Sequence, residues 1–534
     1  MIKYWRWFLI SLIFFSILII GIGWLTPEQN EADLSRVKTL SSKQKNKKVI
    51  MIMIDSLMSK NIEQGIKDKE LPAFQFLINK GQFHRNLVSS FPTMSVTIDS
   101  TLLTGTTPAK HHIPGLIWFS SEENRIINYG TGSKEILYDG INQVLTDSIV
   151  NLNQLHLNKK VSTVYEDLAN LNLTSGSVNG LIYRGKIPHS ITLPPWIYGL
   201  TSLPKKIKVY GPDFLSLGAF SNPLDNMKKL EDSLTKRKGF NNDYAVETLK
   251  YLIKNNRLPD FTYIYLPDMD QQIHKKGPND TNSIKEVDKQ LQSLLDSFGS
   301  WEKAIDNTIF IIIGDSGQSK VFSRWNDPIV PLYKILEKFN VLPSAEKITD
   351  ENEIVLAVNE RMAYIYLLQP YLRTTDVVNV LKKESKIDII AWKENGWNHV
   401  LQGGTNKEMR FKKGKGFIDP YQQQWQITGD TEVLDINVNK EENSLSYGKY
   451  PNALSRLSGA LYSHKGKFIV ITVRPGYELV GDASPTHIGG GSHGSLHEVD
   501  SLVPLIITGT NQKPKYLRME DLKPFILDLL KKTE

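Results

Sequence analysis

Val49-Ile50-Met51-Ile52-Met53-Ile54-Asp55 decides how this chain is read. The run is apolar without alternation and stops abruptly on a carboxylate. A strand with one face in water alternates apolar and polar residues, whereas an unbroken apolar run fits a strand covered on both faces, as in a parallel sheet. The pattern recurs. Residues 261–266 (FTYIYL) lead into Pro267-Asp268-Met269-Asp270, and 309–313 (IFIII) into Gly314-Asp315-Ser316-Gly317. Residues 502–508 (LVPLIIT) end at Gly509, and helical stretches at 242–255 and 284–298 lie between the runs. Strands alternating with helices predict an α/β fold with a mostly parallel sheet flanked by helices.

Three of the runs deliver a carboxylate: Asp55, then Asp268 or Asp270, then Asp315. Ligands of open α/β sheets bind beyond the carboxyl ends of the strands, so these side chains are expected on one rim. His274 follows Asp270 by four residues, which puts both on one face of a helical turn. Carboxylates and imidazoles so placed are oxygen and nitrogen ligands for zinc or manganese. Histidine is scarce, 11 in all, yet His487, His493 and His497 cluster around Gly489-Gly490-Gly491-Ser492, a segment whose glycines let backbone approach closely. In Phe91-Pro92-Thr93, Thr93 opens a helix predicted to reach residue 103, with Thr104-Gly105 as its stop. Its hydroxyl suits two roles. One is an N-cap, contributing about 1 kcal/mol; the other is chemistry on a phosphate held at the positive end of the helix.

The whole chain bounds the remaining choices. Its 534 residues suffice for a large core, and 40% hydrophobic with 23% charged residues is ordinary for a globular protein. The net charge of +7 is spread out and carries no basic, aromatic-studded module, so specific nucleic-acid binding is not expected. With no cysteine, disulfides, thiolate zinc sites and a cysteine nucleophile are excluded. Residues 7–25 form an apolar run long enough to span ~30 Å of hydrocarbon. Lys3 and Arg6 precede it, tryptophans flank it, and no small-residue cleavage site follows. This predicts an uncleaved signal anchor: a single-pass cell-membrane protein, N-terminus cytoplasmic, catalytic part outside. The predicted organisation is 1–25 tip and transmembrane helix, 26–48 polar Lys-rich tether, 49–320 α/β core with an insertion at about 151–241, 321–483 inserted cap, and 484–534 completion of the core. Within the cap, the clearest β-like runs are 433–438 and 467–473.

Strand-Asp, Phe-Pro-Thr at a helix start, Asp-x-x-x-His, strand-Gly-Asp-x-Gly and Gly-x-His-Gly, in that order, resemble the type I phosphodiesterase/nucleotide pyrophosphatase family of the alkaline phosphatase superfamily. The resemblance runs from about Val49 to Gly509. It implies an alkaline-phosphatase-like fold and a metal-dependent phosphoric ester hydrolase with Thr93 as nucleophile. It also implies two divalent metal ions, zinc by preference, with Asp270, His274 and His493 at the first and Asp55, Thr93 and Asp315 at the second. The substrate would be a small phosphoester or one derived from the cell envelope. Monoester hydrolysis, phospho-transfer onto an envelope polymer, and a weakened membrane-tethered binding protein are the alternatives. One departure bears on the second site. The family pattern has Asp-His where this chain has Asp315-Ser316, which leaves that site short of a nitrogen. His112, His487 and His497 are the candidates to replace it; otherwise the site is expected to favour Mn2+ or Mg2+.

Overall fold

The computed structural model describes residues 39–40, 47–199, 201–224, 227–344 and 346–531. The predicted transmembrane segment and most of the tether lie outside them, and among the described residues no helix is long and apolar enough to cross a membrane. The centre is a seven-stranded sheet built from β1 (Lys48–Ile54), β2 (Gly81–Val88), β3 (Ser175–Val178), β4 (Phe214–Ser216), β5 (Phe261–Leu266), β6 (Thr308–Gly314) and β7 (Leu502–Thr508). Its order is β2-β7-β6-β1-β5-β3-β4. β1 lies in the middle, parallel to β6 on one side and to β5 on the other.

The absence of alternation in β1 has a direct cause. Successive side chains of a strand point to opposite faces, and here both faces are core. Ile50, Ile52 and Ile54 pack into one apolar cluster, with Leu249 of the helix Asn242–Lys254 and Leu291 of the helix Asn282–Asp296. Val49, Met51 and Met53 pack into the other, with Leu102 of α1 (Ser95–Thr104) and Phe525 of the helix Leu522–Lys531. Each such side chain, fully removed from water, contributes roughly 1.5–3 kcal/mol.

The structure corrects four expectations. β7, read as one more strand of the parallel set, runs antiparallel to both β6 and β2; burial on two faces makes the same apolar run whichever way a strand points. The stretch 151–241, read as an insertion, supplies β3 and β4, which extend the sheet in parallel beyond β5. Their short Ser-Gly-Ser-Val and Phe-Leu-Ser sequences carry no apolar run to announce them. The β-like run at 433–438 starts as the 3₁₀ turn Thr431–Leu434 and becomes a strand only at Ile436–Asn439, with Asp435 in the left-handed region between them. Finally, α1 begins at Ser95, not at Thr93, and Met94 rather than Thr93 holds the N-cap position. The predicted stop is observed, with Gly105 left-handed at φ 64°.

A second, nine-stranded sheet lies within residues 354–473 and includes the hairpin Ile354–Asn359/Met362–Leu367. The turn of this hairpin docks on the core. The Asn359 carboxamide oxygen accepts from Leu116 N–H (2.8 Å) and Ile117 N–H (3.1 Å), and Arg361 N–H donates to the His493 carbonyl (3.0 Å). The Arg361 guanidinium pairs with Asp500, both side chains fully buried. Breaking a buried pair leaves an uncompensated charge, so Arg361→Leu is expected to cost about 3–5 kcal/mol. Urea denaturation of the purified protein measures this, and a cost under about 1 kcal/mol would show that the pair does not hold the two sheets together.

Candidate active site

Because Ile54 is in register with both Gly314 and Leu266, three neighbouring parallel strands end at one edge. Asp55 and Asp315 leave β1 and β6 there, and α2 (Asp268–Lys276) begins just after β5. Ser56, at φ 62°, joins them: its N–H donates to Asp315 Oδ1 (2.9 Å) and its hydroxyl to Asp270 Oδ1 (2.7 Å). Gln318 Nε2 donates to the same Asp270 oxygen (2.9 Å), and Ser95 Oγ at the start of α1 donates to Asp315 Oδ2 (2.9 Å). Tyr265 OH donates to Asp55. Burial, with Asp315 and Asp270 nearby, pushes the Asp55 carboxyl well above the usual carboxylate range.

The choice between Asp268 and Asp270 is settled by their partners. Asp268 accepts from Arg237 (2.9 Å) and from the Asn242 N–H (2.9 Å), with its side chain 41% exposed. Asp270 faces inward to His274, whose Nε2 is 3.1 Å from Asp270 Oδ1.

Both imidazoles are oriented by what their Nδ1 atoms touch. His274 Nδ1 lies 2.8 Å from the Gly491 carbonyl and His493 Nδ1 2.5 Å from the Thr93 carbonyl. With Nδ1–H committed to a carbonyl, Nε2 is the nitrogen turned toward the cluster, the second-sphere arrangement that would prepare a histidine for a metal. His493 Nε2 is 3.9 Å from Asp270 Oδ1. The glycine bed of His493 is explained by close approach: a Cβ on Gly490 would sit 1.9 Å from the His274 carbonyl oxygen. Gly494, at φ 119°, runs against Asn359, whose carbonyl a Cβ would meet at 2.6 Å.

Thr93 is fully buried, and its Oγ1 accepts the Gly494 N–H (2.7 Å). That bond is why it does not cap α1: the hydroxyl turns across the chain to Gly494 rather than along it. The N-cap itself carries no side-chain cap bond.

Sequence reasoning missed Glu360. It sits in the hairpin turn at φ 57°, a conformation that costs a non-glycine residue about 1–2 kcal/mol. Its Oε1 is 3.7 Å from His274 Nε2 and 3.9 Å from His493 Nε2. Nothing local marks it; only the left-handed turn and its place opposite the histidines do. Burial raises the Glu360 carboxyl, but His274, His493 and His487 more than offset this and bring it down to about 2. Burial likewise lowers His274, and Asp270 with Glu360 overcome it, holding the imidazole protonated up to about 10. Asp270 stays well below its usual range, burial being outweighed chiefly by His274. The cluster is thus arranged around one positive charge, the charge a divalent cation would supply on displacing that proton.

The donor set fits such an ion. One ligand atom each from Asp270, His274 and His493 lie within 4.8 Å of one another, and so do those of His274, Glu360 and His487. The second predicted set is thinner. Asp55 and Asp315 meet at the rim, but Ser316 is buried with no hydrogen-bond partner for its hydroxyl. None of the three replacement histidines stands in for it among the described residues. The His487 ring lies tilted against His274 (ring centroids 4.1 Å apart) with Nδ1 2.6 Å from Glu478. His497 Nδ1 accepts the Val499 N–H (3.3 Å), and His112 lies in the field of Glu122, Lys160 and Lys465. A cleft of about 600 Å³ opens over the cluster, lined by Met94, Leu116, Asp270, His274, Glu360 and His487 among others.

No curated protein matches the chain. Among solved structures it is similar to murine ectonucleotide pyrophosphatase/phosphodiesterase 5 in an inactive form in complex with AMP, at 13% identity and TM-score 0.53, covering 91% of this chain and 96% of that one. It is also similar to the human ectonucleotide pyrophosphatase/phosphodiesterase 5, at 14% identity and TM-score 0.51, covering 91% and 95%. At this identity the likeness carries the fold, a mixed α/β alkaline-phosphatase-like architecture. The family described as Type I phosphodiesterase / nucleotide pyrophosphatase matches over residues 49–496, most of the chain. The chain belongs to the type I phosphodiesterase/nucleotide pyrophosphatase family.

Proposed function

We propose that this protein is a divalent-metal-dependent phosphodiesterase that uses Thr93 as its nucleophile and acts outside the cell, tethered by residues 7–25. One observation carries the reading. The Thr93 hydroxyl is held by Gly494 N–H, while the Thr93 carbonyl orients His493, so nucleophile and metal ligand are set by one pair of adjacent residues. Asp270, His274 and His493 would hold the first cation, and Asp55, Thr93 and Asp315 the second. Zinc suits the nitrogen-bearing first set, and Mn2+ or Mg2+ the oxygen-only second. When bound, these ions supply Lewis-acid stabilisation of the Thr93 alkoxide and of charge on the phosphoryl oxygens.

The chain's own groups do the rest. Thr93 Oγ loses its proton and attacks phosphorus in line; the bond to the leaving oxygen breaks, and that oxygen leaves protonated. A water then displaces Thr93 from phosphorus and restores the hydroxyl. The uncapped first turn of α1 presents N–H groups and a partial positive charge toward an anionic group beside Thr93. Ser56 and Gln318 hold Asp270, and Ser95 holds Asp315, so these carboxylates do not reorganise during the reaction.

The cleft bears on the substrate. Among the described residues its lining contains no phenylalanine, tyrosine or tryptophan to stack a nucleobase, and it offers Thr131, Glu135 and Lys275 instead. This favours a polar, polyol-bearing phosphoester of the kind found in envelope polymers. A second reading, a tethered phosphoester-binding protein with little turnover, is favoured by Ser316 alone.

Thr93→Ala is expected to lower turnover of a chromogenic phosphodiester by at least about a thousandfold, with the cation held by Asp270, His274 and His493 retained by elemental analysis. Near-normal turnover would remove Thr93 from the chemistry. Exhaustive chelation should abolish activity and Zn2+ together with Mn2+ or Mg2+ restore it; full activity without metal would overturn the metal-dependent reading. Glycerol-based phosphodiesters should be hydrolysed with higher kcat/KM than dinucleotides, and the reverse order would reassign the cleft to a base.

A further inference from the structure

The second sheet does more than roof the cleft. Its turn, Asn359-Glu360-Arg361, closes the hairpin just after the last paired residues, Asn359 and Met362. A two-residue hairpin loop usually meets a positive φ with glycine, asparagine or aspartate, yet here the left-handed residue is Glu360. The turn is anchored on both sides. Asn359 Nδ2 donates to the Ile117 carbonyl (2.9 Å), and Arg361 Nη2 to the Val473 carbonyl (3.1 Å). Arg361 N–H also reaches the His493 carbonyl (3.0 Å). The position of the Glu360 backbone relative to His493 is therefore fixed at three points.

The carboxylate is fixed as well. Glu360 Oε2 accepts from Ser492 Oγ (2.8 Å) and from the His493 N–H (3.1 Å). Ser492 Oγ in turn is 3.0 Å from Glu478 Oε1, the buried carboxylate that also engages His487. These bonds turn the other oxygen, Oε1, toward the Nε2 atoms of His274 and His493, at 3.7 and 3.9 Å. Both nitrogens are left facing the cluster by their Nδ1 contacts with Gly491 and Thr93. Donors bound tetrahedrally at about 2.0–2.2 Å from one ion stand about 3.3–3.6 Å from each other. The spacings from Glu360 Oε1 to the two histidine nitrogens are therefore a few tenths of an ångström wider than those of a shared cation, while Asp270 and Glu360 fall in separate three-residue clusters joined through His274.

We propose that Glu360 is a fourth protein ligand of the cation held by Asp270, His274 and His493, contributed by the second sheet. This rests on the reading above only in that a divalent cation binds there; it does not depend on Thr93 or on turnover. In this chain the nitrogen missing at Ser316 is accompanied by an additional oxygen donor on the other side of His274. One centre is thereby strengthened and the other left with two carboxylates and a hydroxyl.

The test is equilibrium binding of Zn2+ to the full-length protein, by competition with a chromogenic chelator, for the unsubstituted chain and Glu360→Gln. The substitution keeps size and hydrogen bonding while removing the ligating charge, and the tighter of the two sites should weaken at least about tenfold. Co2+ in place of Zn2+ gives a second readout: the visible absorption band of the tight site should change in position and intensity in Glu360→Gln. Affinity equal to or tighter than the unsubstituted chain, with an unchanged Co2+ spectrum, would overturn the proposal and leave Glu360 as a charge partner of His274. Should Glu360→Gln fail to fold by circular dichroism, Glu360→Asp carries the test. It keeps the charge but draws the oxygen back, so weaker binding supports a ligand and unchanged binding overturns it. Because neither readout uses turnover, an inactive protein whose Zn2+ affinity depends on Glu360 would sink the phosphodiesterase reading and keep this one.

Discussion

The structure depends on one electrostatic constraint: carboxylates brought into a buried rim by three adjacent parallel strands. Two like charges about 4 Å apart repel by about 4 kcal/mol at an effective dielectric of 20. The register of β1 with β5 and β6 leaves Asp55, Asp270 and Asp315 no way to separate. The fold answers partly with donors, since Ser56, Ser95, Gln318 and Tyr265 each give a hydrogen bond to one of them. It answers partly with protonation, pushing Asp55 up and keeping His274 charged. The balance that remains is one a divalent cation would satisfy.

That rim sits where the two sheets meet. The hairpin turn at 359–361 is locked to the core by Asn359 and Arg361, and the residue between them is Glu360. Arg361 is also hydrogen-bonded to the carbonyl of His493, whose ring lies in the cluster with Asp270 and His274. Packing of the second sheet and geometry of the metal cluster are thus one variable. The second sheet is covalently remote from β1 and β6 but mechanically part of the same centre.

How much of this was legible follows from what each residue's sequence context encodes. β1, β5 and β6 announce themselves because burial on two faces forbids alternation, and the carboxylate after each is visible at once. Asp270 and His274 are legible because a helix turn is a short-range ruler. Direction is not encoded the same way, so β7 could not be told from a parallel strand. β3 and β4 are too short and too polar to stand out. Glu360 had no local signature at all: its role comes from a hairpin turn meeting a segment more than 130 residues away in sequence, as the Ser492 contact shows. Thr93 was readable as a residue near a helix start, but its actual bond, to Gly494, spans 401 residues. Long-range partners of this kind have no period and no spacing.

The link between Thr93 and His493-Gly494 gives a hydroxyl two residues ahead of a helix a different partner from one that caps it. A capping threonine spends its oxygen on its own helix and leaves the first-turn N–H groups quenched. Here Met94 takes the cap position without a side-chain bond, and its carbonyl takes up only the Thr97 and Ile98 N–H groups. The Thr93 oxygen is instead positioned by a peptide N–H from another segment. That same segment carries His493, and the Thr93 carbonyl fixes which nitrogen of His493 faces Asp270. A displacement of Gly494 therefore moves the hydroxyl and the ligand together and preserves their spacing. Gly494 itself is confined by Asn359 of the second sheet, against whose carbonyl any side chain would collide. The Thr93 hydroxyl, the His493 ring and the second sheet share one mechanical anchor, and it is a glycine whose left-handed backbone only glycine adopts without strain.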